Sequence, residues 1–202
     1  MTRTPLHFNL LIVFLLTGLF VNARPRQMIG GAEGEGTPSD FARFVASVED
    51  GEENVLRGVY VQNVLALPVI QQPSNQPYYV STREGEATQF AMVSQYGNIG
   101  LLAHNTLSGR FFSQLAAGQE VRLVYGAGRI EYFTVAQVLH FQALQPDSVT
   151  SPFRNLDKDE VISAGDLFNR AYAGQRHLVF QTCINAYGNA SWGRLFVVAA
   201  PK

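Results

Sequence analysis

The sequence predicts a mainly β domain, an eight-stranded closed or nearly closed barrel carrying one or two short helices. Three observations predict it. After Val55 the chain turns into short runs of β-branched and aromatic residues punctuated by Gly, Pro and Asn. Gly126-Ala-Gly128 separates two of these runs, and its glycines supply the positive φ that a tight hairpin turn demands. Between the strand-like runs, two stretches keep a helical spacing of apolar residues.

Taken in order, strands are expected over 58–67, 78–83, 87–94, 98–104, 120–126, 129–141, 177–184 and 194–200. The first helix is expected over 106–117, where Leu107, Phe111 and Leu115 recur every fourth residue and Gly118 follows as a stop. A second helix is expected over 159–172, with Val161, Leu167 and Phe168 apolar and Gly174 as its terminator. Residues 142–158 read as a long polar loop, the kind of segment that borders binding sites.

With 202 residues, 47% hydrophobic and 15% charged, the chain can bury one sizeable core. Its formal charge is −1 and its arginines are scattered singly, so it lacks the basic stripe of a nucleic-acid binder and that class is dropped. The N-terminus carries Arg3 and His7, an apolar stretch from Leu10 to Val21 broken only by Thr17 and Gly18, and then Asn22-Ala23 before Arg24. This pattern predicts an export signal over 1–23. The stretch is short for a membrane span, which needs about 20 apolar residues, and an uncleaved membrane anchor is the second reading.

Residues 24–54 read as a flexible linker rich in Gly and Glu, exemplified by Gly30-Gly-Ala-Glu-Gly-Glu-Gly36. Within it, the apolar patch 41–48 is expected to form one helix turn or to dock on the domain. The acidic cluster Glu49-Asp-Gly-Glu-Glu53 lacks the spaced oxygen ligands of a calcium loop and reads as a solvated boundary. The barrel domain then occupies 55–202.

Cys183 is the chain's single cysteine, so it cannot form an internal disulfide. In an exported protein such a thiol is either buried filler or kept for chemistry. His104 ends one predicted strand, Cys183 ends another, and Arg194 opens a third, so a barrel can bring the three to one rim. The residue types suit one another. A thiolate is the nucleophile, an imidazole moves protons near neutral pH, and a guanidinium holds a carbonyl oxygen or a developing oxyanion. His140 lies inside a long predicted strand and His177 precedes Cys183 by about 20 Å of extended chain, so both carry less weight. One Cys and scattered His give no zinc-ligand spacing, and neither metal nor cofactor is expected. Asn189-Ala-Ser191 is a formal glycosylation acceptor.

Four segments resemble the sortase family, cysteine transpeptidases of the bacterial cell surface. Gly97-Asn-Ile-Gly-Leu-Leu-Ala-His104 is similar to the family's strand that ends in the catalytic histidine, and Phe112-Ser-Gln-Leu-Ala-Ala-Gly-Gln-Glu-Val121 to the helix and strand entry that follow. Leu178-Val-Phe-Gln-Thr-Cys183 resembles the T-L-x-T-C motif, and Arg194-Leu-Phe-Val-Val-Ala199 the R-L-V-V-x-A strand. The likeness spans roughly Val55 to Lys202, with His, Cys and Arg in the family's order. Ala103 stands where the family has glycine, Val179-Phe180 where it has threonine-leucine, and Gln119-Glu120 where it has glycine-aspartate.

The resemblance implies that Cys183 attacks the carbonyl of a short LPxTG-like sorting peptide, that His104 protonates the leaving amine and later deprotonates the acceptor amine, and that Arg194 holds carbonyls and the oxyanion. Its implied partners are a sorting-signal peptide of surface proteins and an amine of the cell wall or of another protein. Membrane association through the N-terminus and an exported, cell-surface location go with it.

Three rivals stand beside it. Papain-like peptidases place cysteine before histidine, an order this chain reverses. L,D-transpeptidases resemble a pattern with arginine two residues after cysteine, a position held here by Asn185. A secreted β-barrel binding module with an inert buried Cys183 is the non-enzymatic reading, and it predicts no thiol reactivity.

Overall fold

The structure, a computed structural model, describes residues 38–202; the expected export signal and the first part of the expected linker lie outside the described residues. The elements run α1 (Pro38–Val48), β1 (Leu56–Val61), β2 (Leu65–Gln71), β3 (Ala87–Gln89), β4 (Ile99–Leu102), β5 (Glu120–Tyr125), β6 (Ile130–Ala143), β7 (Phe153–Asn155), β8 (Val161–Ile162), α2 (Ala164–Tyr172), β9 (Leu178–Ala186) and β10 (Asn189–Pro201). Two 3-10 segments, Ala91–Tyr96 and Ser108–Gln114, flank β4.

Strand order is β10-β9-β4-β3-β2-β1-β5-β6-β7-β8, and β6 pairs back onto β10. That last pairing closes the first eight strands of the order into a barrel, with β7 and β8 as an extension of β6. Closure leaves no unpaired edge around the ring. Two neighbours, β2–β3 and β4–β9, run parallel; the other pairs are antiparallel.

Strand alternation sorts the side chains into an inner core and outer layers. From β5, Val121, Leu123 and Tyr125 fill the barrel, while Val124 faces outward under α1. From β9, Leu178 and Phe180 fill the barrel, while Val179 faces the second core that α2 covers with Leu167, Phe168, Ala171 and Tyr172. Helix α1 lays Phe41, Phe44, Val45 and Val48, one stripe of helical spacing, onto Tyr60 and Val124. It rests so close to β1 that a Cβ on Gly58 would stand 2.8 Å from the Phe44 ring.

Several predicted elements differ. The strand expected over 58–67 is a hairpin, because Asn63 takes a left-handed conformation (φ 61°) between β1 and β2. Residues 78–83 form no strand. Their backbone is tied down by side chains: Gln72 Nε2 donates to Pro77 O and Tyr79 O, and Ser81 N donates to Thr88 Oγ1. The run 87–94 ends as a strand at Gln89 and continues as a 3-10 turn. The helix expected over 106–117 is 3-10 over Ser108–Gln114, and the one expected from 159 starts at Ala164, where Ser163 caps it by accepting from Asp166 N. The loop expected over 142–158 contains β7, which pairs with β6 and β8. Within 24–54, the described part carries a three-turn helix, longer than the one turn expected, and its 41–48 stripe docks on the domain as the other expectation had it.

The hairpin at Gly126-Ala-Gly128 forms as expected, with Gly128 at φ 83° and Tyr125 N donating to Arg129 O.

Candidate active site

The site lies where β4, β9 and β10 run side by side. Strand β9 is in parallel register with β4, Leu101 beside Phe180 and Leu102 beside Gln181, and continuing that register sets His104 next to Cys183. Two hydrogen bonds hold the continuation: Ala103 N donates to Gln181 O at 3.3 Å, and Thr182 Oγ1 donates to Ala103 O at 2.8 Å. On the other side of β9, Arg194 of β10 is the antiparallel partner of Cys183. The structure therefore brings Cys183 and Arg194 onto adjacent strands and His104, two residues past the end of β4, beside them on the same face.

That face is the outer wall of the barrel, not its mouth. Thr182 and Ile184 alternate toward the interior, so Cys183 faces outward with Val179 and Gln181. Nor do Cys183 and Arg194 sit at strand ends as expected, because β9 runs on to Ala186 and β10 begins at Asn189. The sheet continues past them as a short hairpin whose turn places Tyr187 at φ 52°.

Each group is oriented from its own element. The His104 carbonyl accepts from Leu107 N and Gly109 N, both at 2.9 Å, which fixes the bend after β4. There is no room to loosen that bend, since a Cβ on Gly109 would stand 2.6 Å from Ala103 O and 2.7 Å from His104 O. Asn105 Nδ2 donates to Ala190 O at 3.0 Å and joins the bend to the β9–β10 hairpin. Val80, within the segment expected as a strand, lines the small cavity beside the His104 imidazole. Arg194 is buried; Nη1 donates to Ser191 O and Gly193 O, and its guanidinium carbon lies 6.0 Å from the centre of the Phe153 ring.

Burial favours the uncharged form of both the thiol and the imidazole. It pushes the Cys183 thiol above its usual value, and the Arg194 cation offsets part of that rise. His104 is held below the ordinary imidazole value by burial, and the nearby Val80 backbone offsets part of that fall.

Cys183 is 8% exposed, yet two spaces reach it. One is a cleft of about 370 Å³ whose walls include Asn105, Gly109, Arg110, His140, Cys183 and Asn185. The other is a small cavity of about 10 Å³ that Cys183 shares with His104, Gln181 and Val80. A third space of about 20 Å³ lies beside Arg194, between Gln181 and the α2 side chains Leu167, Phe168 and Tyr172.

Sequence reasoning passed over several of these residues. His140, given little weight, lines the cleft with Cys183, its Nδ1 3.9 Å from Asp157 Oδ2. Gln181 lies two residues before Cys183 on the same strand, a spacing that by itself does not mark it out. His177 is occupied elsewhere, its ring bonded to Gln175 O and Ala171 O. Among the described residues no group of His, Cys, Asp or Glu is arranged to hold a metal ion, and no helix is long and apolar enough to cross a membrane.

No family model and no curated protein sequence matches the chain. Solved structures do resemble it, among them several sortases. Sortase A of Listeria monocytogenes is 12% identical at a TM-score of 0.46, covering 74% of this chain and 88% of its own. Sortase C from Clostridium perfringens SM101 is 12% identical at 0.45, covering 81% and 88%. Sortase C2 of Group B Streptococcus Pilus Island 1 is 13% identical at 0.47, covering 78% of each chain. These are similarities of chain trace, at identities where side-chain chemistry does not transfer.

Proposed function

We propose that the protein is a sortase-type cysteine transpeptidase that cleaves a short LPxTG-like sorting peptide and transfers its acyl part to an amine at the cell surface. The observation that carries this reading is the register of three strands, which puts a thiol between an imidazole and a guanidinium on one wall beside an open cleft. Cys183 Sγ attacks the peptide carbonyl as its proton passes to His104. The C–N bond then breaks, and the imidazolium returns that proton to the leaving amine. The thioacyl bond to Cys183 is next attacked by an incoming amine, which gives its proton to His104, and the thiol is restored. Arg194 holds the carbonyl oxygen as negative charge develops on it.

Burial favours the uncharged form of both groups, so Cys183 gives up its proton to His104 in the act of attacking the carbonyl rather than beforehand. The substrates belong to this proposal, as do the exported location and an N-terminal signal or anchor over 1–23.

The testing experiment incubates the purified protein with a library of LPxTG-like peptides and seeks the thioacyl adduct by mass spectrometry. The expected result is an acyl mass on Cys183 that is absent from Cys183→Ala and discharged by an added amine. A wild-type protein that forms no adduct with any library member, while its Cys183 stays inert to alkylation until denatured, favours the binding-barrel reading.

A further inference from the structure

We infer that Gln181 is a substrate-binding residue, its side-chain Nε2 donating a hydrogen bond to a backbone carbonyl of the peptide lying over Cys183; this rests on the transpeptidase reading above. Gln181 is 5% exposed and lies two residues before Cys183 on the same face of β9. Its partners across the sheet are Leu102 and Phe196, and Val179 precedes it on this face. Among apolar neighbours a buried amide is destabilising unless it is satisfied, so packing does not account for it.

Half of it is satisfied. The Tyr172 hydroxyl donates to Gln181 Oε1. That phenol is firmly held, its ring packed against Phe90, Phe168 and Phe196 and its carbonyl accepting from Asn98 Nδ2 at 2.8 Å. Full burial pushes the phenol far above its ordinary pKa, so it remains a donor. With Oε1 engaged, the amide has a fixed orientation and Nε2 points the other way.

Among the described residues the Gln181 amide has no hydrogen bond besides the one to Tyr172, while every fully buried side-chain polar atom has a partner. Nε2 therefore opens into a cavity. Gln181 lines both candidates, the space shared with His104 and Cys183 and the space beside Arg194. At about 10 and 20 Å³, each holds on the order of one water. An amide NH₂ is a donor only, so the ligand it selects is an acceptor. A peptide carbonyl that displaces such a water satisfies the amide and ties the substrate down between the thiol and the guanidinium.

The test compares wild type, Gln181→Met and the double variant Gln181→Met/Tyr172→Phe, which removes both ends of the hydrogen bond and leaves no stranded phenol. Two rates are read: kcat/KM on the LPxTG-like peptide that wild type turns over fastest, and alkylation of Cys183 by iodoacetamide, which needs no peptide. We expect kcat/KM to fall roughly tenfold or more in both variants, with alkylation within about twofold of wild type. Tyr172→Phe alone, which keeps the amide but frees it to turn, gives a smaller fall. A double variant whose kcat/KM matches wild type overturns the inference, and so does a fall that alkylation follows in proportion. Wild type that turns over no peptide removes the transpeptidase reading along with it, whereas an active wild type with an indifferent double variant removes this inference alone.

Discussion

Cys183 and Arg194 are direct cross-strand partners, so a thiol and a guanidinium, 8% and 5% exposed, share one patch of the barrel wall. The cation works against the burial that raises the thiol. Replacing it leaves that burial unopposed. Arg194→Met should therefore move the midpoint of the pH–alkylation profile of Cys183 upward and slow alkylation near neutral pH, about tenfold for each unit moved. A midpoint that stays in place would show that Arg194 does not act on the sulfur.

The same burial gives His104 a signature in stability. Its imidazole takes up a proton less readily when folded than when unfolded. Below the unfolded value of about 6.5 the unfolded chain binds more protons, so stability falls as pH falls, until the folded site also titrates. Cys183 acts on the alkaline side: its raised folded value means stability is lost as pH climbs past the unfolded thiol's value. Urea unfolding should show its highest midpoint between the two. His104→Gln should flatten the fall between about pH 7 and about pH 5, above the range where carboxylates contribute. An unchanged slope in that variant would assign the acid limb to other groups.

The parts legible in the sequence were those that local chemistry decides. Strands β5 and β6 declared themselves by β-branched and aromatic residues and by Gly126 and Gly128, and β9 and β10 by apolar runs. The break at Asn63 was missed because it depends on one residue adopting a left-handed conformation, and β7 and β8 because strands of three and two residues are too short to show a period. Ser163 was a readable cap that went unused. In the site, His104, Cys183 and Arg194 were legible by type and order. The face they share was not, since it follows from register. The Val80 backbone has no side-chain signature at all, and Gln181 becomes conspicuous only once its apolar neighbours are known.

Gly109 gives a steric test of how tightly the histidine is held. An added Cβ would meet Thr182 Oγ1, Ala103 O and His104 O, two of which are backbone atoms that cannot swing aside. Gly109→Ala must then move the bend after β4 or break the bond from Thr182 to Ala103. We expect a loss of about 1–3 kcal/mol in urea unfolding, in the range of overpacked sites. Peptide turnover should fall by more than the lost stability explains, because His104 shifts away from Cys183. A variant that folds with normal stability and normal turnover would mean that the bend gives way without moving the histidine.

Helix α1 offers a separable test, because the cluster that seats it shares no residue with the site. Phe44 is 9% exposed, lies against Gly58 and has its ring centre 5.8 Å from that of Tyr60; Arg122 also stacks over Phe41 at 4.6 Å. Phe44→Ala removes a buried ring from a small outer cluster and leaves a gap that Gly58 has no side chain to fill. The expected cost is about 2–4 kcal/mol, toward the lower part of the range for aromatic truncation because the site is at the rim. Alkylation of Cys183 under native conditions should be unchanged, since the cluster that seats α1 draws no residue from β9 or from the bend that carries His104. A cost well under about 1 kcal/mol would mean that the helix undocks freely and that the barrel beginning near Leu56 is stable without it.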